Sequence, residues 1–308
     1  MALVGESGCG KSMTALSLMQ LIPSPPGYIA GGEVWLGGRD LLALPGNEMQ
    51  AVRGGEIAMI FQEPLTSLDP VFTIGFQLTE ALKLHRPGTP AEMRQRAVSA
   101  LARVGLPDPE QRLTSYPFQL SGGQRQRVMI AMSLACEPQL LIADEPTTAL
   151  DVTIQAQILR LLKQIQSETG LALMIITHDL GVVNQVADQV AVMYAGQIVE
   201  QASRRDLLSN PQHPYTRGLL DSLPGSRRRG EALHTIRGMV PRATDWPGGC
   251  RFRTRCPDVF EPCATAIPAL MTTGEQHRAR CYLYGNDSLD GPVTSAQTRV
   301  SPGKAVGP

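Results

Sequence analysis

A chain that carries Gly5-Glu6-Ser7-Gly8-Cys9-Gly10-Lys11-Ser12 has few folds open to it. The spacing GxxxxGK[ST] belongs to a turn between a strand and a helix, where successive backbone N–H groups converge on a concavity that suits phosphate oxygens. The glycines are required because a Cβ would block that approach or forbid the φ it needs. In such a loop the lysine reaches the transferring phosphate and the Ser12 hydroxyl ligates Mg²⁺. The loop begins at residue 5, which leaves only Met1–Val4 for the strand before it. A Gly-rich turn in an unrelated fold would also satisfy this stretch, so the rest of the chain must decide.

Four further features do so. Leu120-Ser121-Gly122-Gly123-Gln124 opens a helix, and a serine at a helix start forms a second anion site. One chain has no use for two γ-phosphate sites, whereas two chains facing head to tail would each lend one. The pair of motifs therefore implies a dimer that sandwiches ATP, with Ser121, Gly122, Gly123 and Gln124 acting in trans. Leu140-Leu141-Ile142-Ala143-Asp144-Glu145 is an apolar strand ending in two carboxylates, at the position where open α/β sheets place their sites. Asp144 suits Mg²⁺, and Glu145 suits activation of the attacking water. Thr177-His178-Asp179 repeats the arrangement after a second strand, where a neutral His178 can donate to a γ-phosphate. Gln62, after the strand Ile57–Phe61, is placed to reach Mg²⁺ and water.

The alternation of strands and helices predicts an α/β fold with a parallel sheet covered on both faces. The predicted elements are a helix from Lys11 to Ile22, a hairpin turning at Gly37-Gly38, and a mainly helical subdomain over 71–137. Beyond these come a buried strand at Leu140–Ala143, a long helix from Val152 to Gly170, and strands at Leu171–Ile176, Gln189–Tyr194 and Gln197–Gln201. Composition shifts near residue 210, and the tail from Gly285 to Pro308 is poor in large apolar residues and reads as disordered. Arg227-Arg228-Arg229 reads as a solvated linker.

With these elements together the chain resembles an ATP-binding-cassette (ABC) ATPase. GESGCGKS resembles the Walker A loop, Gln62 the Q-loop, LSGGQ the signature and LLIADE the Walker B strand. Ala149-Leu150-Asp151 resembles the D-loop, with Asp151 reaching the partner's ATP, and His178 the switch histidine. The resemblance spans residues 1 to 205. It implies a P-loop NTPase core with a helical subdomain and the cofactors ATP and Mg²⁺, the latter held by Ser12, Gln62 and Asp144. Phe61-Gln62-Glu63-Pro64-Leu65-Thr66-Ser67-Leu68-Asp69-Pro70 and His213-Pro214-Tyr215-Thr216-Arg217-Gly218-Leu219-Leu220 resemble the oligopeptide/dipeptide importer branch, the second run matching its C-terminal extension (206–284). That branch implies two permease subunits, a second ATPase subunit, an extracytoplasmic binding protein, and a place on the cytoplasmic face of the inner membrane. Its cargo would be peptides or, in close relatives, nickel chelates or glutathione. A soluble, non-transport ABC ATPase is the rival reading; the single cassette and the HPYTRGLL run count against it.

Cys250, Cys256, Cys263 and Cys281 are separated by five, six and seventeen residues. This fits neither close-paired zinc spacing nor ferredoxin spacing, so spacing alone names no metal. Members of the importer branch with a similar extension carry a four-iron four-sulfur cluster, and the resemblance transfers that expectation to these four cysteines. Zinc and free thiols remain the alternatives. Cys9 and Cys136 have no such company.

Two bulk properties bound the reading. Lys+Arg and Asp+Glu are both 28, so the formal charge is zero and gives no footprint for nucleic acid. No apolar run approaches the ~20 residues of a membrane-spanning helix. The family pattern also places a few dozen residues before the Walker A loop, including an aromatic that stacks on adenine. None stands here, so the N-terminal strands read as truncated and Met1 as a misassigned start. Base stacking on an aromatic contributes ~1–3 kcal/mol, so its loss is expected to weaken ATP binding.

Overall fold

The computed structural model describes residues 1–62, 67–148, 150–223 and 235–285. Residues 63–66, Ala149, the Arg227–Arg229 run and the tail beyond 285 lie outside the described residues. The apolar runs become β1 (Ala2–Val4), β4 (Ile57–Ile60), β5 (Leu140–Asp144), β6 (Ala172–Thr177) and β7 (Gln189–Tyr194). Between β1 and β4 lies the expected hairpin, β2 (Trp35–Leu36) and β3 (Arg39–Asp40), as a separate small sheet. Strands β8 (Gln197–Ser203), β9 (Met271–Gly274) and β10 (His277–Ala279) follow.

Among the described residues the main sheet runs β4-β5-β6-β1-β7-β8-β10-β9. The first five strands in that order are mutually parallel, and the rest pair antiparallel. Register fixes the functional edge. Val4 lies beside Thr177, Asp144 beside Ile176, and Ile60 beside Ala143. The segments that follow β1, β4, β5 and β6 therefore leave the sheet at one edge, and each begins with a motif residue.

Helix α1 (Lys11–Leu18) follows β1 across the Gly-rich turn. It stops before the predicted Ile22, because Gln20 adopts φ 50° and the carbonyls of Met19 and Gln20 accept from the Arg53 guanidinium at 2.7 and 3.0 Å. Arg53 closes α2 (Gly46–Gly55). The helical subdomain comprises α3 (Ile74–His85), α4 (Pro90–Arg103), α5 (Pro109–Arg112) and α6 (Gly122–Leu134). Helix α4 starts where its sequence signal lies: Thr89 and Glu92 form a capping box and Pro90 takes the first helical position. Leu78, Leu82, Leu101, Val128 and Ile130 are buried with Leu141 and Ala143, which fuses the subdomain to one face of the sheet. Each such side chain contributes roughly 1.5–3 kcal/mol relative to exposure. The opposite face buries Leu3, Ile142 and Ile176 against Ala15, Met19 and Met49.

Helix α7 (Val152–Thr169) is capped by Asp151 and ends at Gly170, whose φ of 70° favours glycine. Helices α8 (Leu180–Val186), α9 (Arg204–Ser209), α10 (Pro214–Asp221) and α11 (Pro262–Thr265) complete the described chain. The segment after residue 205 shares the cassette's own core. Tyr215 and Phe252 are buried with Val190, Val192 and Tyr194, and the three rings meet at 4.7, 5.1 and 5.3 Å. β10 covers the edge of β8, with Arg278 opposite Gln201. Glu200 of β8, fully buried, accepts from the amides of Gln212 and His213 at 2.7 and 2.9 Å and contacts the His277 ring at 2.7 Å.

Candidate active site

The Gly-rich turn has the geometry its spacing requires. Gly8 and Gly10 have φ of 81° and 106°, and a Cβ on Gly5 would lie 2.2 Å from the Met193 carbonyl oxygen. Lys11 is buried, and its ammonium donates to the carbonyls of Gly5 and Glu6 at 2.8 and 3.1 Å. It thus folds back across the turn's own mouth. Cys9 is buried, and burial pushes its thiol up. Ser7 and Gly8 are exposed at the tip.

Asp144 ends β5 at 3% exposure. Burial raises its carboxyl above the usual range, partly offset by a hydrogen bond with the Ser12 side chain. Its Oδ1 has no hydrogen-bond partner. A buried carboxylate oxygen without a partner, beside a serine hydroxyl, is a donor set that suits a divalent cation.

Glu145 is the focus of the edge. Gln62 Nε2 donates to its Oε2 at 3.1 Å, the Thr148 hydroxyl donates to the same oxygen at 2.9 Å, and His178 Nδ1 lies 3.0 Å from Oε1. Burial works to raise the Glu145 carboxyl, and the hydrogen bonds from His178 and Thr148 outweigh it, so the group lies below its ordinary value. The structure therefore brings Gln62, Asp144, Glu145 and His178 together with Lys11 and Ser12, although they come from four strand ends.

Ser121 caps α6 with its own capping box: its hydroxyl accepts from Gln124 N–H at 3.3 Å, and Gln124 Oε1 accepts from Ser121 N–H at 2.9 Å. Ser121 and Gly122 are exposed. Among the described residues, no hydrogen bond joins Ser121–Gln124 to the Gly5–Ser12 turn. Asp151 is likewise exposed, and its carboxylate accepts from Ile154 N–H at 2.9 Å.

Comparison with known proteins identifies this edge. Residues 1–148 match the ABC transporter family model, and residues 199–263 match the C-terminal region of oligopeptide/dipeptide transporters. The chain belongs to the ABC transporter ATPases, in the oligopeptide/dipeptide branch. It is 50% identical over 289 residues to the oligopeptide transport ATP-binding protein AppD of Bacillus subtilis, covering 94% of this chain and 88% of the relative. It is 48% identical over 280 residues to the dipeptide transport ATP-binding protein DppD of Escherichia coli, covering 91% and 85%. Among solved structures it resembles a dimeric ATP-binding cassette in a post-hydrolysis state with ADP and Pi, at TM-score 0.58 and 30% identity over 66% of this chain and 84% of that one. As a member of this family, the protein is an ATPase.

One expectation is corrected. The four cysteines of the C-terminal segment do not form an iron–sulfur site: among the described residues, no group of three or more His, Cys, Asp or Glu could hold a metal ion. Cys250 and Cys256 pack against the core around Tyr215 and Phe252, and Cys263 and Cys281 are buried. Burial pushes the Cys250 and Cys281 thiols up and Cys256 to about 12. Cys250 and Cys263 are joined through the backbone, N–H to carbonyl at 2.9 Å.

Sequence reasoning missed two neighbours of the site. Thr148 carries no signal beyond its closeness to Glu145. Gln126 is buried, and its Nε2 donates to the Pro146 carbonyl at 2.7 Å, tying α6 to the turn after Glu145. Its neighbours Gln124, Arg125 and Arg127 are polar, so nothing in the local sequence set it apart.

Proposed function

We propose that this ATPase energises import of di- or oligopeptides through a membrane complex, with Glu145 as the general base of hydrolysis. The observation that carries the catalytic half is the Glu145 carboxylate, gripped by Gln62, Thr148 and His178 next to the partnerless Asp144 Oδ1. The cargo half is supported by relatives named as peptide and dipeptide transport subunits at about half identity.

In this reading the amides of residues 7–12 cradle the phosphates of ATP, and Lys11 leaves the Gly5 and Glu6 carbonyls to meet the γ-phosphate. Ser12, Asp144 and Gln62 would hold Mg²⁺, which when bound neutralises phosphate charge. Glu145 takes a proton from the attacking water, His178 fixes the carboxylate on the opposite side, and Gln62 senses the site through the same carboxylate. A second cassette, identical or paralogous, covers the phosphates with its own Ser121–Gln124 and brings its Asp151 to the boundary.

Motion leaves the site through the segment after Gln62. Between β4 and α6 lies a cavity of about 360 Å³, lined among others by Met19, Met59, Phe61, Leu68, Met129 and Met132. At the start of α3 Phe72 and Phe76 stack at 4.5 Å and are exposed. A methionine-rich, adaptable apolar surface suits a helix of a permease subunit. Among the described residues no helix is long and apolar enough to cross a membrane, so attachment to the inner membrane's cytoplasmic face would run through two permeases, with a binding protein delivering peptide from the other side.

The test is Glu145→Gln. Phosphate release should fall at least about 100-fold, the scale of a lost general base, while ATP binding persists. Hydrolysis at the parental rate would remove Glu145 from this role. Stimulation of hydrolysis by peptide-loaded binding protein, in vesicles holding the permeases, tests the cargo.

A further inference from the structure

The second residue of the phosphate loop is a glutamate, and it is held from outside the cassette. Glu6 N–H donates to the Tyr215 hydroxyl at 2.9 Å. Its carboxylate accepts two N–H bonds from the Arg255 guanidinium, at 2.7 and 3.1 Å. Arg255 is itself fixed. Its Nε donates to the Arg237 carbonyl at 2.8 Å, its remaining Nη2 N–H is shared between the Ile236 and Gly238 carbonyls at 3.3 and 3.2 Å, and its side chain is only 5% exposed. The fork is thus set by three backbone carbonyls before it meets Glu6. Tyr215 is equally constrained: it is fully buried on α10, whose cap, His213, hangs from the buried Glu200 of β8.

A second tie reaches the other half of the loop. Gly196 N–H donates to the Cys9 carbonyl at 2.7 Å. The Ala195 carbonyl beside it accepts from Arg251, which stacks on Trp246 at 3.4 Å. The segment beyond residue 210 therefore touches the loop directly at residue 6 and indirectly at residue 9.

We infer that Arg255 and Tyr215 are positioning residues for ATP binding: they hold Glu6, and with it the loop, in the phosphate-receiving shape. The inference rests on the proposed role of this loop in binding ATP. Two physical effects combine. A carboxylate in a phosphate loop repels the incoming phosphates unless a cation neutralises it, and Arg255 does so with a bidentate pair. Loop amides bind an anion well only when their orientation is already fixed, and Tyr215, by accepting from the Glu6 N–H, anchors the start of the loop that carries them.

The test measures ATP affinity by titration calorimetry on the full chain, steady-state kcat and KM for ATP, and thermal midpoints. Arg255→Met should raise the dissociation constant and KM for ATP about tenfold, with kcat little changed, since the coupling of a contacting charged pair is of that size. Adding Glu6→Gln to Arg255→Met should recover most of the lost affinity, because the unpaired charge is gone. Arg255→Lys should fall between. A purely architectural Arg255 would lower the thermal midpoint and leave ATP affinity unchanged, and that result overturns the inference. If Arg255→Met does not fold, Tyr215→Phe keeps the buried ring and removes only the acceptor; weakened ATP binding supports the inference, and parental affinity overturns it. A parental chain that binds no ATP sinks the proposed function itself, whereas parental binding with an indifferent Arg255→Met sinks only the clamp.

Discussion

Glu145 adopts φ 46°, in the left-handed region where a residue with a Cβ sits at a cost of roughly 1–2 kcal/mol. The cost is offset because its N–H donates to the Ile176 carbonyl at 2.9 Å and its carboxylate takes three polar contacts. That conformation turns the side chain from the end of β5 toward Gln62 and His178. The same contacts set its titration. Burial alone would raise the carboxyl, but hydrogen bonds from His178 and Thr148 carry it below its ordinary range. As a base it must be ionised, so the acidic limb of kcat/KM against pH, which reports the free enzyme, should lie below the ordinary glutamate range. His178→Ala removes one of the lowering contacts, and the limb should move to higher pH along with a fall in kcat. A limb that stays in place when His178 is removed would show that another group sets it. The sequence placed these carboxylates at a strand tip, yet only the packed site reveals that His178 and Gln62 converge on Glu145.

Helix α10 shows what the His-Pro-Tyr run does as an element. His213 Nδ1 accepts from Tyr215 N–H at 3.1 Å as the helix cap, Pro214 fills the first helical position, and Tyr215 faces the phosphate loop. His213 is completely buried, and burial, with Arg217 and Arg280 nearby, pushes it down to about 3. In the unfolded chain it takes a proton near 6.5. Between these values the unfolded state binds more protons, so the stability is full above pH 6.5 and is lost as pH falls toward 3. Denaturant midpoints of the parental chain should decline across that window, by an amount on the order of a few kcal/mol. His213→Asn keeps a cap acceptor without a titrating group, so its profile should be flatter; parallel profiles would exclude His213 as the cause. From sequence this run was legible only as a family likeness, because a cap, a buried neutral histidine and a reaching hydroxyl have no periodicity to read.

At the scale of the molecule, half of the proposed site faces outward. Ser121 and Gly122 are exposed at the start of α6, and Asp151 is exposed at the start of α7. The proposed head-to-tail pair predicts that the Glu145→Gln chain sediments as a dimer when ATP is added. Adding Ser121→Arg should return it to monomer by placing bulk against the partner's nucleotide; a dimer that survives this change would need a different interface. The sequence by itself determined the strand-to-helix phosphate loop, the buried parallel strands, the carboxylates at their tips and the helix start at Ser121, because each is a short-range pattern of spacing, capping or apolar runs. The family likeness misjudged the four cysteines, since it does not reveal that Cys250 and Cys256 pack against the core around Tyr215 and that Cys263 and Cys281 are buried. Only the tertiary structure decided that Tyr215 and Phe252 pack into the cassette's core and that Arg255 meets Glu6 across 249 positions of chain. A contact of that range is fixed by the register of β8 with β10 and by the shared core around Tyr194, neither of which a local pattern records.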